Sequence, residues 1–135
     1  MPASGPSYHR LVEPDDIFTA VAAAFSTGEL RAAYALFSAD YLDHQRPEDS
    51  DLVGPEEFAV VVAGARHGLG ELAVRLASEV IWVDDLCVAV LAWRGKDRSG
   101  VIIERETVET LRLDPAGKIA EHWGLQIRSR HVPDG

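Results

Sequence analysis

Only one cysteine, Cys87, occurs in the chain, which excludes an intrachain disulfide. It lies in the apolar run "LCVAVLAW", where a thiol packs as a small hydrophobe. That usage fits a reducing compartment, and the cytoplasm is the expected location. No apolar run reaches the roughly 18 residues of a spanning helix, so no membrane partner is expected. The start, "MPASGPSYHR", lacks an apolar signal core, and residues 1–14 are expected to form a flexible tail. Basic residues are scarce: 13 Lys and Arg stand against 22 Asp and Glu, a formal net charge of −9. That balance argues against nucleic acid and against an anionic membrane surface, and serves solubility. No glycine-rich phosphate loop and no nucleophilic serine elbow occurs. The five histidines (His9, His44, His67, His122 and His131) show no ligand spacing and have no cysteine partner. No metal and no other cofactor is therefore expected.

What remains is a chain of 135 residues with 47% apolar content, long enough for one domain with a real core. A single domain is expected over residues 15–130, with a C-terminal tail at 131–135. In "DDIFTAVAAAFST", Ile17, Val21, Ala24 and Phe25 recur at helical spacing, with Asp15 as a possible cap. After Gly28 a second helix is expected, with Leu30, Ala33, Tyr34 and Phe37 on one stripe. "SADYLDHQRPEDSD" is polar apart from Tyr41 and Leu42 and reads as loop. "GPEEF" opens a third helix, with acids in its first turn and Phe58, Val61, Val62 and Ala65 on its buried face. The period then changes to 2. "ELAVRLASEVIWV" reads as one strand. "LCVAVLAWRG" reads as a central strand covered on both faces. "VIIERETVETLRL" and "KIAEHWGLQIRSR" flank the turn "DPAG". Three helices followed by a four-stranded antiparallel meander is an α+β plan. A strongly curved, mainly antiparallel sheet with the helices across its open side makes a cone-shaped barrel with an internal pocket.

"AFSTGELRAAYALFSADYLDHQRP", "GPEEF" and "AGKIAEHWG" together resemble SnoaL-like polyketide cyclases, of the nuclear-transport-factor-two-like superfamily. The shared order is a small-residue break between two helices, Tyr-x-x-His after the second, a Gly opening the third, and a Gly-Lys-Ile hairpin with His-Trp near the end. The resemblance runs from about residue 15 to residue 128. It implies a deep apolar pocket for a small hydrophobic substrate, a homodimer formed through the sheet, and aldol chemistry without metal or cofactor. In these cyclases a carboxylate removes a proton next to a carbonyl, and hydrogen-bond donors hold the enolate oxygen. The family's base is an Asp two residues after the strand histidine, which corresponds here to Gly124.

The candidate catalytic residues are therefore Glu109, His122, Asp43 and His44. His122 matches the strand histidine and could donate to an enolate or orient a base. Glu109 is the substitute acid. If the strands pair around residues 114–117, it lies beside His122, and the resemblance puts a pocket residue there, as it does at Thr107. The two share a face, while Glu106 has the opposite parity. The turn is one residue longer than the family's, and a slip of one would reverse every facing. Asp43 and His44, after the second helix, match positions from which relatives reach the pocket mouth. Asp43 is the alternative base, or a turn residue. Tyr41, Thr107, Trp93, Trp123 and Gln126 are the candidate substrate-binding residues. Trp82, like the other two tryptophans, fits a pocket wall or ordinary core.

Three functions stay open. The first is a cyclase or isomerase, with isomerase- or lyase-type acid–base chemistry, acting on a polyketide-type metabolite in secondary metabolism. The second is an epoxide-opening hydrolase or cyclase, which two acids in the pocket would favour. The third is a non-catalytic binder, which follows if Glu109 and Asp43 both face solvent.

Overall fold

The computed structural model describes residues 14–45 and 51–133, so the expected tail, apart from Pro14, and part of the 38–51 segment lie outside the described residues. Helix α1, Pro14–Thr27, buries Ile17, Phe18, Val21, Ala22, Ala24 and Phe25. Asp15 and Asp16 stand inside its first turn, where they complement the helix dipole, and Asp15 is not the cap. Helix α2 is a single turn, Arg31–Tyr34, shorter than the apolar stripe predicts. Phe37 belongs instead to strand β1, Phe37–Asp43, where it stacks on Phe58 at 4.6 Å and packs edge-on against Tyr41. Aromatic packing and strand pairing override the helical spacing of that stretch. The expected loop is thus a strand for its first half. Its polarity misleads because Ser38 and Asp43 are buried by tertiary partners.

Helix α3, Pro55–Gly68, packs Phe58 and Val62 inward. Gly54 before it has φ 95°, and a Cβ there would come within 2.8 Å of the Ala39 carbonyl oxygen. Only glycine satisfies both constraints. Gly54 N–H donates to the Tyr41 carbonyl, which ties α3 to β1.

The expected strand 71–83 is two strands, β2 (Gly70–Leu76) and β3 (Ile81–Val83). Both pair antiparallel with β4, Leu86–Lys96, along different lengths of it. The break lies at residues 77–80, where the Ser78 hydroxyl accepts from Val90 N–H and replaces a ladder bond. Strands β5, Ile102–Leu113, and β6, Ile119–Val132, complete the sheet. The order is β1-β6-β5-β4-β2, with β3 beside β4. Among the described strands only the β1–β6 pair is parallel. Strand β6 passes the expected domain end at 130, since His131 and Val132 pair with Ile103 and Ile102.

Four register shifts interrupt three of the pairings, and such bulges bend strands. The mixed sheet curls into a half-barrel, with the helices across its concave side. Cys87, Ala89 and Leu91 of β4 are buried, whereas Val88, Val90 and Ala92 on the convex face are half-buried, so one face only is fully covered. Also on the convex face, Trp123, Leu125 and Ile127 of β6 form an exposed apolar stripe. Among the described residues no helix is long and apolar enough to cross a membrane.

Candidate active site

A cavity of about 350 Å³ opens between the concave sheet and the helices. Phe25, Val61, Ala65, Leu69, Leu72 and Trp93 give it an apolar wall. The polar groups come mainly from the sheet: Arg105, Thr107 and Glu109 from β5, His122 and Gln126 from β6, with Gln45 following β1. Among the expected site residues, Glu109, His122, Thr107, Trp93 and Gln126 thus line this cavity. Tyr41, Asp43, His44 and Trp123 do not.

Two of those four stand directly behind the wall. Tyr41 and Asp43 share the inner face of β1 and are completely buried. The parallel pairing sets Asp43 opposite His122, and Asp43 Oδ1 lies 3.0 Å from His122 Nδ1. Asp43 also accepts from the Tyr41 hydroxyl and, at 2.8 Å, from Gln45 N–H. Burial, and then the Asp43 charge, push the Tyr41 hydroxyl far above its ordinary range, so it stays a phenol and a donor. Glu57, fully buried in the first turn of α3, accepts from Asp43 N–H. Its proximity to the start of α3 was legible, but this inward role depends on β1, which the sequence pattern hides.

His44 and Trp123 lie on the other side of the sheet. The preceding residue, Asp43, points inward, so His44 points outward. Its ring stacks on Trp123 at 4.7 Å, and its Nε2 lies 2.9 Å from Glu121. Hydrogen bonds from His44 and then Arg112 hold Glu121 below the usual carboxylate range. The expected role of His44 in polarising a carbonyl is therefore not supported at this cavity.

Glu109 sits opposite Gly124 in the β5–β6 ladder, and its carboxylate reaches diagonally to His122. Glu109 Oε1 lies 2.5 Å from His122 Nε2. Both groups are buried, at 5% and 4% exposure. A Cβ on Gly124 would stand 3.1 and 3.2 Å from the two Glu109 oxygens. The carboxylate thus occupies the space where a side chain at 124 would begin. A register shift falls between Arg112 and Leu113, on the turn side of Glu109, and Glu109 faces inward. Glu106 has the opposite parity and pairs with Arg128 at 3.7 Å.

Both ring nitrogens of His122 therefore face carboxylates. Burial alone lowers the imidazolium's stability, but the hydrogen bonds to Asp43 and Glu109, with their charges, outweigh it and raise the pKa to about 9. His122 is a cation at neutral pH. It holds Glu109 and cannot at the same time donate to a substrate oxygen, which corrects its expected role as a direct carbonyl donor. Thr107 is the better placed donor. Its oxygen accepts from Trp93 Nε1 at 2.8 Å, which leaves the hydroxyl proton for a ligand. Among the described residues no group of three His, Cys, Asp or Glu side chains is arranged to hold a metal ion.

The raised value makes stability depend on pH. Unfolded, the imidazole titrates near 6.5; folded, it titrates at about 9. Its contribution is complete below about pH 6.5 and is lost as pH rises through about 9. At about 1.4 kcal/mol per pH unit, that contribution is about 3 kcal/mol. Urea unfolding from pH 6 to about pH 10 should show a falling midpoint over that window. A flat midpoint would exclude a buried imidazolium.

Residues 15–126 match the profile of the SnoaL-like polyketide cyclases. The chain belongs to this family. No curated protein matches the sequence. Its fold is that of several solved structures. A candidate polyketide cyclase from Bacillus cereus superposes with a TM-score of 0.69 at 20% identity, over 83% of this chain and 72% of its own. A protein with a ketosteroid isomerase-like fold from Catenulispora acidiphila gives 0.64 at 21% identity, over 84% and 85%. The epoxide hydrolase/cyclase-like enzyme SalBIII, of pyran ring formation in the polyether salinomycin, gives 0.64 at 14% identity, over 82% and 87%. At these identities the likeness is one of fold. In this SnoaL-like chain the last strand carries Gly124, and Glu109 stands directly across the ladder from it.

Proposed function

We propose that the protein is a cofactor-independent acid–base enzyme that closes or isomerises an apolar, oxygenated small molecule of polyketide type, by an intramolecular aldol reaction. One observation carries this reading: Glu109 is the acid that lines the cavity, and an imidazolium braced by Asp43 holds it there. The Glu109 carboxylate removes a proton from the carbon next to a ketone. Thr107 and the amide of Gln126 donate to the enolate oxygen that forms. The enolate carbon bonds to a second carbonyl carbon of the same molecule, and the proton on Glu109 passes to the resulting alkoxide. The product is an isomer of the substrate, so no redox partner is consumed. His122 acts through Glu109 and stays protonated throughout.

The epoxide-opening alternative calls for two acids in the cavity. Glu109 alone among the described acids lines it, so support for that chemistry is weaker. Solvent-facing acids would favour the non-catalytic alternative, whereas Asp43 and Glu109 are buried at 0% and 5%.

Deuterium exchange tests the reading without knowledge of the natural substrate. In D2O, with no metal or cofactor added, the protein should accelerate deuterium uptake next to the carbonyl of hydrophobic aryl ketones and aryl β-diketones. Failure to exchange any of them would leave a binding protein. The exposed stripe of Trp123, Leu125 and Ile127 supports pairing of two copies through the sheet. Sedimentation should give twice the mass of the chain, and Leu125→Glu should return it to the monomer mass; a wild-type monomer would exclude the pairing.

A further inference from the structure

Three polar residues of β5 face the cavity in succession, Arg105, Thr107 and Glu109. Glu109 has His122 as a partner, and Thr107 has Trp93. Arg105 has none among the described residues: its Nε is buried without a hydrogen-bond partner, and no carboxylate among them pairs with its guanidinium. The sequence places acids on both sides of it, Glu104 and Glu106. Strand parity turns both outward, where Arg94 and Arg130 take Glu104 and Arg128 takes Glu106. A buried guanidinium N–H without an acceptor is costly, and an oxygen supplied by a ligand removes that cost.

We propose that Arg105 anchors a carboxylate of the substrate, which makes the substrate an apolar keto acid rather than a neutral ketone or ester. The chemistry of the wall selects that group. Arg105 is the one Lys or Arg among the described residues lining the cavity, and its planar fork matches a carboxylate. A phosphate would need further cations or converging backbone N–H groups, and Glu109 in the same cavity repels a dianion. Spacing supplies the second half of the argument. Glu109 lies four positions along the strand from Arg105, about 13 Å between their backbones. A substrate held at Arg105 therefore keeps its carboxylate away from the base and presents its ketone end to Glu109. Thr107, between the two, meets the oxygen of the intervening ketone. The role of Arg105 rests on the cavity being the substrate site.

Titration calorimetry with 2-naphthoate and 2-naphthamide as probes tests this without turnover. The wild type should bind the acid about tenfold or more tightly than the amide. Arg105→Gln should abolish that preference and change the amide affinity by less than about twofold. Arg105→Lys keeps the charge but loses the fork, so the preference should shrink severalfold; this variant decides the matter if Arg105→Gln does not fold. Equal affinity for the two probes in the wild type, no binding of either at millimolar concentration, or a preference undiminished in both variants would overturn the anchor. Deuterium exchange of neutral ketones does not call on Arg105, so the two assignments can fail separately.

Discussion

Glu109→Gln is expected to lose about three orders of magnitude in deuterium exchange and in turnover, with the fold intact. The replacement keeps the shape and removes the capacity to accept a proton. His122 still finds an oxygen acceptor at Nε2, and Asp43 still holds Nδ1. Substrate binding should change little, because Arg105, Thr107 and the apolar wall are untouched, so the loss belongs in kcat rather than in KM. Circular dichroism should be unchanged. Glu106→Gln is the control: that side chain pairs with Arg128 on the convex face, and its loss should leave exchange as it was. Exchange at half the wild-type rate or more in Glu109→Gln would mean that the base is elsewhere.

This expectation depends on a relation that the sequence half discloses. Gly124 alone reads as a missing acid. The parity of residues 105, 107 and 109, and a hairpin centred on 114–117, bring a second acid to the same place. What the pattern could not settle was the register, because a turn one residue too long would have reversed the facing of Glu109. The ladder shifts by one between Arg112 and Leu113, and such a bulge has no reliable sequence signature. The same parity rule makes Arg105 legible as a cavity residue. It was obscured by two flanking glutamates that look like its partners.

The other half of the site was hidden for a different reason. Helix α1 and strands β4 to β6 announce themselves by local periodicity. Strand β1 does not, since Ser38, Asp40 and Asp43 make it look like a solvated loop. It forms only because Phe37 packs against Phe58 and Tyr41, and because β6 offers a free edge 79 residues away from Asp43 at His122. Once that strand is in place, its alternation decides the roles. Tyr41 and Asp43 turn inward to brace the histidine, and His44 turns outward to Trp123 and Glu121. Similarity to cyclases had suggested His44 as a site residue, but one step along a strand moves a side chain across the sheet.

Asp43→Ala should therefore be the most damaging single change to the fold outside the apolar core. It removes the acceptor for Tyr41, for Gln45 N–H and for His122 Nδ1 at once, all in a place that water does not reach. Breaking a buried ion pair by deleting one partner typically costs about 3–5 kcal/mol, and urea unfolding at neutral pH should show a loss of that size. Asp43→Asn separates bracing from bulk. It keeps the shape and an acceptor for the Tyr41 hydroxyl, but it withdraws the charge that helps keep His122 protonated. In that variant the imidazole should titrate below the native value of about 9, as read from the His122 ring signals by NMR. The alkaline limb of the pH–rate profile should move down with it, since Glu109 is held by the imidazolium and not by the neutral ring. A stability loss without that displacement would make Asp43 a packing residue only. With it, Asp43 is the group that sets the pH at which Glu109 remains in position.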